Sequence, residues 1–143
     1  MFISVKSRTI NKSLNPIWDD YFRLPIKSLN TDILRIEVNN SDKNGKNEKL
    51  GLIDFPLIDY EPGLIYHHKC PIIPLLGHSN NPIIELYIQL TPPRIIPFTE
   101  VNYVPDQLNI RIEDINSVTI NKQLSISRLY CNIKLESDSS ECF

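Results

Sequence analysis

A chain of 143 residues carrying 15 Lys and Arg against 17 Asp and Glu, net charge −2, has room for one ordinary domain and not for a second complete one. The near-balanced charge excludes a global basic field of the kind that draws nucleic acid, so any attraction to phosphates has to come from a local patch. Cys70, Cys131 and Cys142 are irregularly spaced without a Cys-x-x-Cys pair, which argues against a disulfide framework or zinc site and for a reducing compartment. The N-terminus offers no apolar core of signal-peptide length, and no run is long enough for a membrane-spanning helix.

Residues 2–10 alternate, with Ile3, Val5, Ser7 and Thr9 on one side and Lys6 and Arg8 on the other, which predicts a strand. Asn15-Pro16 suits a tight reversal, because Pro fixes φ and Asn tolerates αL, and it feeds a strand over 18–25. There Phe22 and Leu24 share one face, Tyr21 and Arg23 the other, and Pro25 ends it for want of an amide donor. Leu34, Ile36 and Val38 line a third strand, with Arg35 and Glu37 outside. The Asn/Asp/Gly45-rich stretch 39–47 reads as a loop, and 50–57 as a fourth strand in which Gly51 marks a bulge or a close backbone approach. Prolines and glycines break up residues 60–81, leaving a short strand near 65–70. Ile84, Leu86, Ile88 and Leu90 then give a clean inward face. Four prolines punctuate 92–107, a linker or surface arm, before the alternation restarts at 108–113 and 129–136. No stretch sustains a helical period, so the chain reads as all-β, with a polar tail over 137–143.

The Thr9 and Asn15-Pro16-x-Trp18 turn, the following strands and Glu48-Lys49-Leu50-Gly51 resemble, in order and spacing, the C-terminal six strands of a C2 domain over residues 3–90. Ser127-Arg128-Leu129-Tyr130, opening the last strand, resembles the family's Ser-Asp-Pro-Tyr, so 108–136 resemble its first two strands. The resemblance implies an antiparallel β-sandwich of about eight strands, used mostly to dock on membranes. Residues 1–91 would supply strands three to eight. The late pair would either complete that sandwich as a circular permutation or begin a second C2 domain of a tandem array.

Calcium-binding members share clustered loop carboxylates, since Ca²⁺ wants six to eight oxygens. The matching positions here are Asn40, Asp42 and Glu48, and a further carboxylate is replaced by Arg128. An amide and an arginine at such positions imply a degenerate calcium loop and no required cofactor. The alternative route is basic: Lys6 and Arg8 match the Lys-x-Lys of phosphoinositide-binding members. Tyr21 and Arg23 are expected on a neighbouring strand, with Lys12 and Lys27 adding charge. Adjacent His67 and His68 point to opposite faces of a strand and do not make a metal site with Cys70. No nucleophile elbow, phosphate-cradling glycine loop or acid/base pair is present. The expectation is a non-catalytic, cytoplasmic, peripheral module for anionic phospholipids such as phosphoinositides, largely independent of calcium. The alternative is a scaffold that binds another protein.

Overall fold

The computed structural model describes residues 2–11, 15–41, 47–74, 83–91, 107–116 and 128–136. Alternating sequence becomes strand: β1 (Phe2–Lys6), β2 (Ile10–Asn11), β3 (Ile17–Pro25), β4 (Ile33–Ser41), β5 (Asn47–Pro56), β6 (Ile65–Pro71), β7 (Ile73–Pro74), β8 (Ile83–Thr91), β9 (Gln107–Asn116) and β10 (Arg128–Glu136), with one turn of 3-10 helix at Leu57–Asp59. Two antiparallel sheets result. The first runs β1-β10-β4-β5-β7, with β2 also on β10, and the second runs β3-β9-β8-β6. The all-β class expected from the alternation and the sandwich implied by the C2 resemblance are both present, built of eight longer strands plus the two-residue β2 and β7.

The inward rows are the ones the period of two marks out. Leu34, Ile36 and Val38 of β4 and Leu129, Cys131, Ile133 and Leu135 of β10 face Ile84, Leu86, Ile88 and Leu90 of β8 and Leu108, Ile110 and Ile112 of β9 across one core. Trp18 is wholly buried at the start of β3, and its indole Nε1 donates to the Arg8 carbonyl at 2.8 Å. Aromatic burial on this scale contributes roughly 4–6 kcal/mol before entropy. β9 lies between β3 and β8, and β10 between β1 and β4. The last two strands therefore fill the middle of both sheets, and β1, β2 and β3 have no other ladder partner among the described strands.

Just after β1 the alternation breaks. Ser7 is buried, but Thr9 is exposed and not inward as expected. Ser7 leaves the strand because its N–H donates to the Cys131 carbonyl at 2.9 Å while its Oγ accepts from Cys131 N–H at 2.8 Å. At Gly51 both expected features occur. The β4–β5 register shifts beside it, and a Cβ there would meet Ile72 Cγ2 at 2.5 Å and the Ile73 carbonyl oxygen at 2.8 Å. The turn after β3 is pinned by buried Asp32, whose Oδ2 accepts from the N–H groups of Lys27 (2.8 Å) and Ser28 (3.1 Å).

Candidate functional site

Lys6 ends β1 on the outer side of its sheet, with Nζ 4.1 Å from the centre of the Tyr130 ring of β10. Arg8 follows in the connection to β2. Its Nε lies 2.8 Å from Asp20 Oδ1, its N–H donates to Asp20 Oδ2 at 3.0 Å, and its Nη2 donates to the Trp18 carbonyl. Tyr21 and Arg23 project from the outer face of the second sheet, Tyr21 71% exposed and Arg23 donating from Nε to Asn109 Oδ1 at 3.1 Å. The expectation that β1 and β3 are neighbours in one sheet is therefore corrected. Each is the outermost strand of its own sheet, and the two edges meet where Arg8 holds Asp20 and Trp18. Alternation shows which way a side chain points and leaves open which strand lies next door, and this is why the sequence misplaced them.

Pairing separates the cations. On the first sheet Arg35 makes a two-point contact with Asp54 (2.8 and 3.0 Å) and reaches Glu136 at 3.5 Å. Beside it buried Glu37 holds Lys49 at 2.7 Å and Lys134. These lysines keep the Glu37 carboxyl below its ordinary value against the opposing effect of burial, the largest single influence on it. On the second sheet Arg111 is held by Asp19 at 2.8 Å and Glu113 at 3.1 Å, and Lys69 lies 4.0 Å from Glu85. Lys6, Arg23, Lys27 and Arg128 have no carboxylate within ion-pair distance among the described residues. Lys6, Arg23 and Lys27 lie on β1 or on and just after β3, while Arg128 opens β10 opposite Asn11 of β2. Unneutralised positive charge thus gathers along the flank where the two edge strands meet.

The likeness to known proteins covers the same part of the chain. The model of the C2 domain family matches residues 3–72, from β1 through the end of β6. That stretch belongs to the C2 family. Over 62 residues the chain is 39% identical to Synaptotagmin-3 of Arabidopsis thaliana, 43% of this chain and 12% of that protein. Over 59 residues it is 39% identical to the Calcium-dependent lipid-binding protein of the same plant, 41% of this chain and 11% of that one. Synaptotagmin-4 is 32% identical over 60 residues. The chain thus spans about a tenth of the length of these curated relatives. No solved structure matches.

In the C2 frame the calcium loop follows β4. Asn40 is buried, and its Oδ1 accepts the Arg128 backbone N–H at 2.9 Å, so the amide joins β4 to β10. Exposed Glu48 pairs opposite it on β5, while Asp42 and Lys12 lie outside the described residues. Among the described residues no group of three or more His, Cys, Asp or Glu is placed to hold a metal ion. His67 and His68 do point apart: His67 stacks on Tyr87 at 4.5 Å, whereas His68 Nε2 and Tyr60 Oη are 2.8 Å apart on the inner side. No helix among the described residues is long and apolar enough to cross a membrane.

Proposed function

We propose that this C2 unit is a non-catalytic module that docks reversibly on anionic phospholipid membranes through its β1/β3 flank, in the cytoplasm and without a calcium requirement. The observation that carries the reading is the flank itself. Lys6 and Arg23 keep their charge unpaired among the described residues, while the cations on the broad faces sit against carboxylates. Lys27 adds to them, Tyr21 offers an amphipathic ring for the headgroup region, and Arg8 braces the seam. The one relative named for lipid binding, the Calcium-dependent lipid-binding protein, supports a lipid surface as partner. Asn40 engaged with the Arg128 N–H supports independence from calcium. Each basic group beside an anionic leaflet contributes about 1 kcal/mol, so three give about 3 kcal/mol, enough for reversible docking. The test is cosedimentation with phosphoinositide-containing liposomes in chelator. Replacing Lys6 and Arg23 together by Gln should weaken partitioning roughly 30-fold while the fold survives. Undiminished binding by the folded variant, or binding by wild type only when calcium is added, would refute the reading.

A further inference from the structure

The outer face of the β3-β9-β8-β6 sheet carries a groove that flank docking leaves without a role. Strand register sets Tyr21, Arg111, Tyr87 and His67 in one row across all four strands, and Arg23, Asn109, Gln89 and Ile65 in the next. A depression of ≈ 320 Å³ is lined from both rows by Tyr21, Tyr87, Arg111, Asn109, Gln89 and Ile65, at the lower end of the size range of small-molecule sites. The charge in this lining is spent. Arg111 is held by Asp19 at 2.8 Å and Glu113 at 3.1 Å, and Arg23 lies outside the depression with its Nε on Asn109 Oδ1 at 3.1 Å. An ionic guest would lose hydration without gaining a counter-charge, so the lining favours an uncharged one. Nor is there a slot for a flat aromatic guest. The Arg111 guanidinium carbon already sits 5.3 Å from the centre of the Tyr21 ring and 5.8 Å from that of Tyr87, and from the other neighbouring strand His67 stacks on Tyr87 at an interplanar angle of 11°. Tyr21, 71% exposed, keeps ring surface open.

The neutral hydrogen-bonding groups, by contrast, are unspent. Tyr60 and Tyr66 use their hydroxyls on His68 Nε2 and the Glu61 N–H, whereas those of Tyr21 and Tyr87 have no partner among the described residues. Asn109 Nδ2 donates to Thr91 Oγ1 at 3.1 Å, and Gln89 Nε2 donates to the Gly63 carbonyl at 3.1 Å. Both amides are thereby held in one orientation. The Gln89 side-chain oxygen has no donor among the described residues and needs one from its guest. A proline-rich peptide, a common guest of aromatic-lined grooves, has few N–H groups to give it. A pyranose ring meets each demand. Its C–H face packs on an exposed tyrosine ring, and its hydroxyls donate to the Gln89 oxygen while pairing with the tyrosine hydroxyls and the second amide N–H of Asn109.

We propose that this groove binds one ring of an uncharged, soluble glycan. The site is independent of the docking flank and goes beyond it. The flank works by unpaired positive charge, whereas the groove has its charges cancelled and gains nothing from an anionic surface, so its guest is met in solution. The unit would then hold two ligands of different chemistry, a membrane surface along one flank and a sugar on one face.

The experiment titrates the full chain with maltotriose, cellotriose and mannotriose, following the side-chain amide signals of Gln89 and Asn109 by NMR, with sorbitol as an open-chain polyol that has hydroxyls and no ring face. At least one trisaccharide should shift both amides saturably, with an affinity that does not change with salt because no charge is involved, and sorbitol should not. Tyr87→Phe and Gln89→Leu, each checked for fold by circular dichroism, should weaken that binding roughly 3- to 10-fold and leave liposome binding unchanged. No saturable shift with any of the three sugars, equal binding of sorbitol, or full affinity in both folded variants overturns the assignment. So does a shift produced by a polyproline peptide and by none of the sugars. A response confined to vesicles carrying a neutral galactolipid overturns the soluble source of the guest. Since the sugar titration contains no lipid, its failure leaves flank docking standing, and loss of liposome binding leaves the groove standing.

Discussion

Replacing Glu37 by Gln keeps the shape of a buried side chain and removes its charge. Glu37 lies on central strand β4 and draws Lys49 of β5 and Lys134 of β10 toward the same carboxylate, which ties three strands of the first sheet together. A hydrogen bond to a charged group contributes about 1.5–3 kcal/mol and a neutral one about 0.5–1.5, so two converted bonds would lose about 2 kcal/mol. The lysine side chains are 47% and 27% exposed, and water already solvates part of their charge, which lowers the expectation to about 1–2 kcal/mol. For a domain of this size that is roughly 3–8 °C in Tm. The assay is urea unfolding of wild type and variant across pH. Because the folded carboxyl titrates below its ordinary value of 4.5, the gap between the two proteins should be full above that value. It should narrow as pH falls through the lowered folded value. A gap already absent near neutral pH, or one of constant size down to the acid transition, would refute the clamp. A change in m-value would mean the substitution had altered more than this contact.

His68 supplies a second pH test. Burial, and then the neighbouring His67, hold its pKa below the ordinary 6.5, so the unfolded chain takes a proton that the folded one resists. Stability should be flat above about 6.5 and fall as pH drops below it. His68→Phe should shrink that slope, and an unchanged slope in the variant would assign it to other groups. Gly51→Ala should cost about 1–3 kcal/mol in urea unfolding, because its Cβ would press on the Ile73 carbonyl oxygen as well as on the movable Ile72 side chain. A neutral outcome would mean that β7 can retreat freely.

The long strands were legible because each carries its own period. Ile84 to Leu90, Leu108 to Ile112 and Leu129 to Leu135 alternate, and the inward rows are buried. Gly51 was legible too, since the absence of a side chain in a strand has few physical causes. What the sequence did not carry was adjacency between strands. Nothing local tells Arg8 that its nearest carboxylate is Asp20, or tells Glu37, placed on the outer side by alternation, that Lys49 and Lys134 will cover it. β7 went unseen because two residues ending in Pro74 have no period. The groove row was hidden for the same reason: Tyr21, His67, Tyr87 and Arg111 are scattered along the chain and meet only through register.

Strand order also sets a timetable for synthesis. Phe2 at the start of β1 pairs with Glu136 at the end of β10, and Leu24 of β3 pairs with Leu108 of β9. At translation rates of about 5–20 residues per second, β1 would wait roughly 7–27 s for the strand it bonds to. Throughout that interval the nascent chain would present unpaired, apolar strand edges of the kind that pair with the wrong neighbour. Non-local pairing of this sort also folds slowly once it can begin. The chain's demand on chaperones should therefore be greatest before β10 clears the ribosome, and its resistance to proteolysis should rise steeply once β10 is in place.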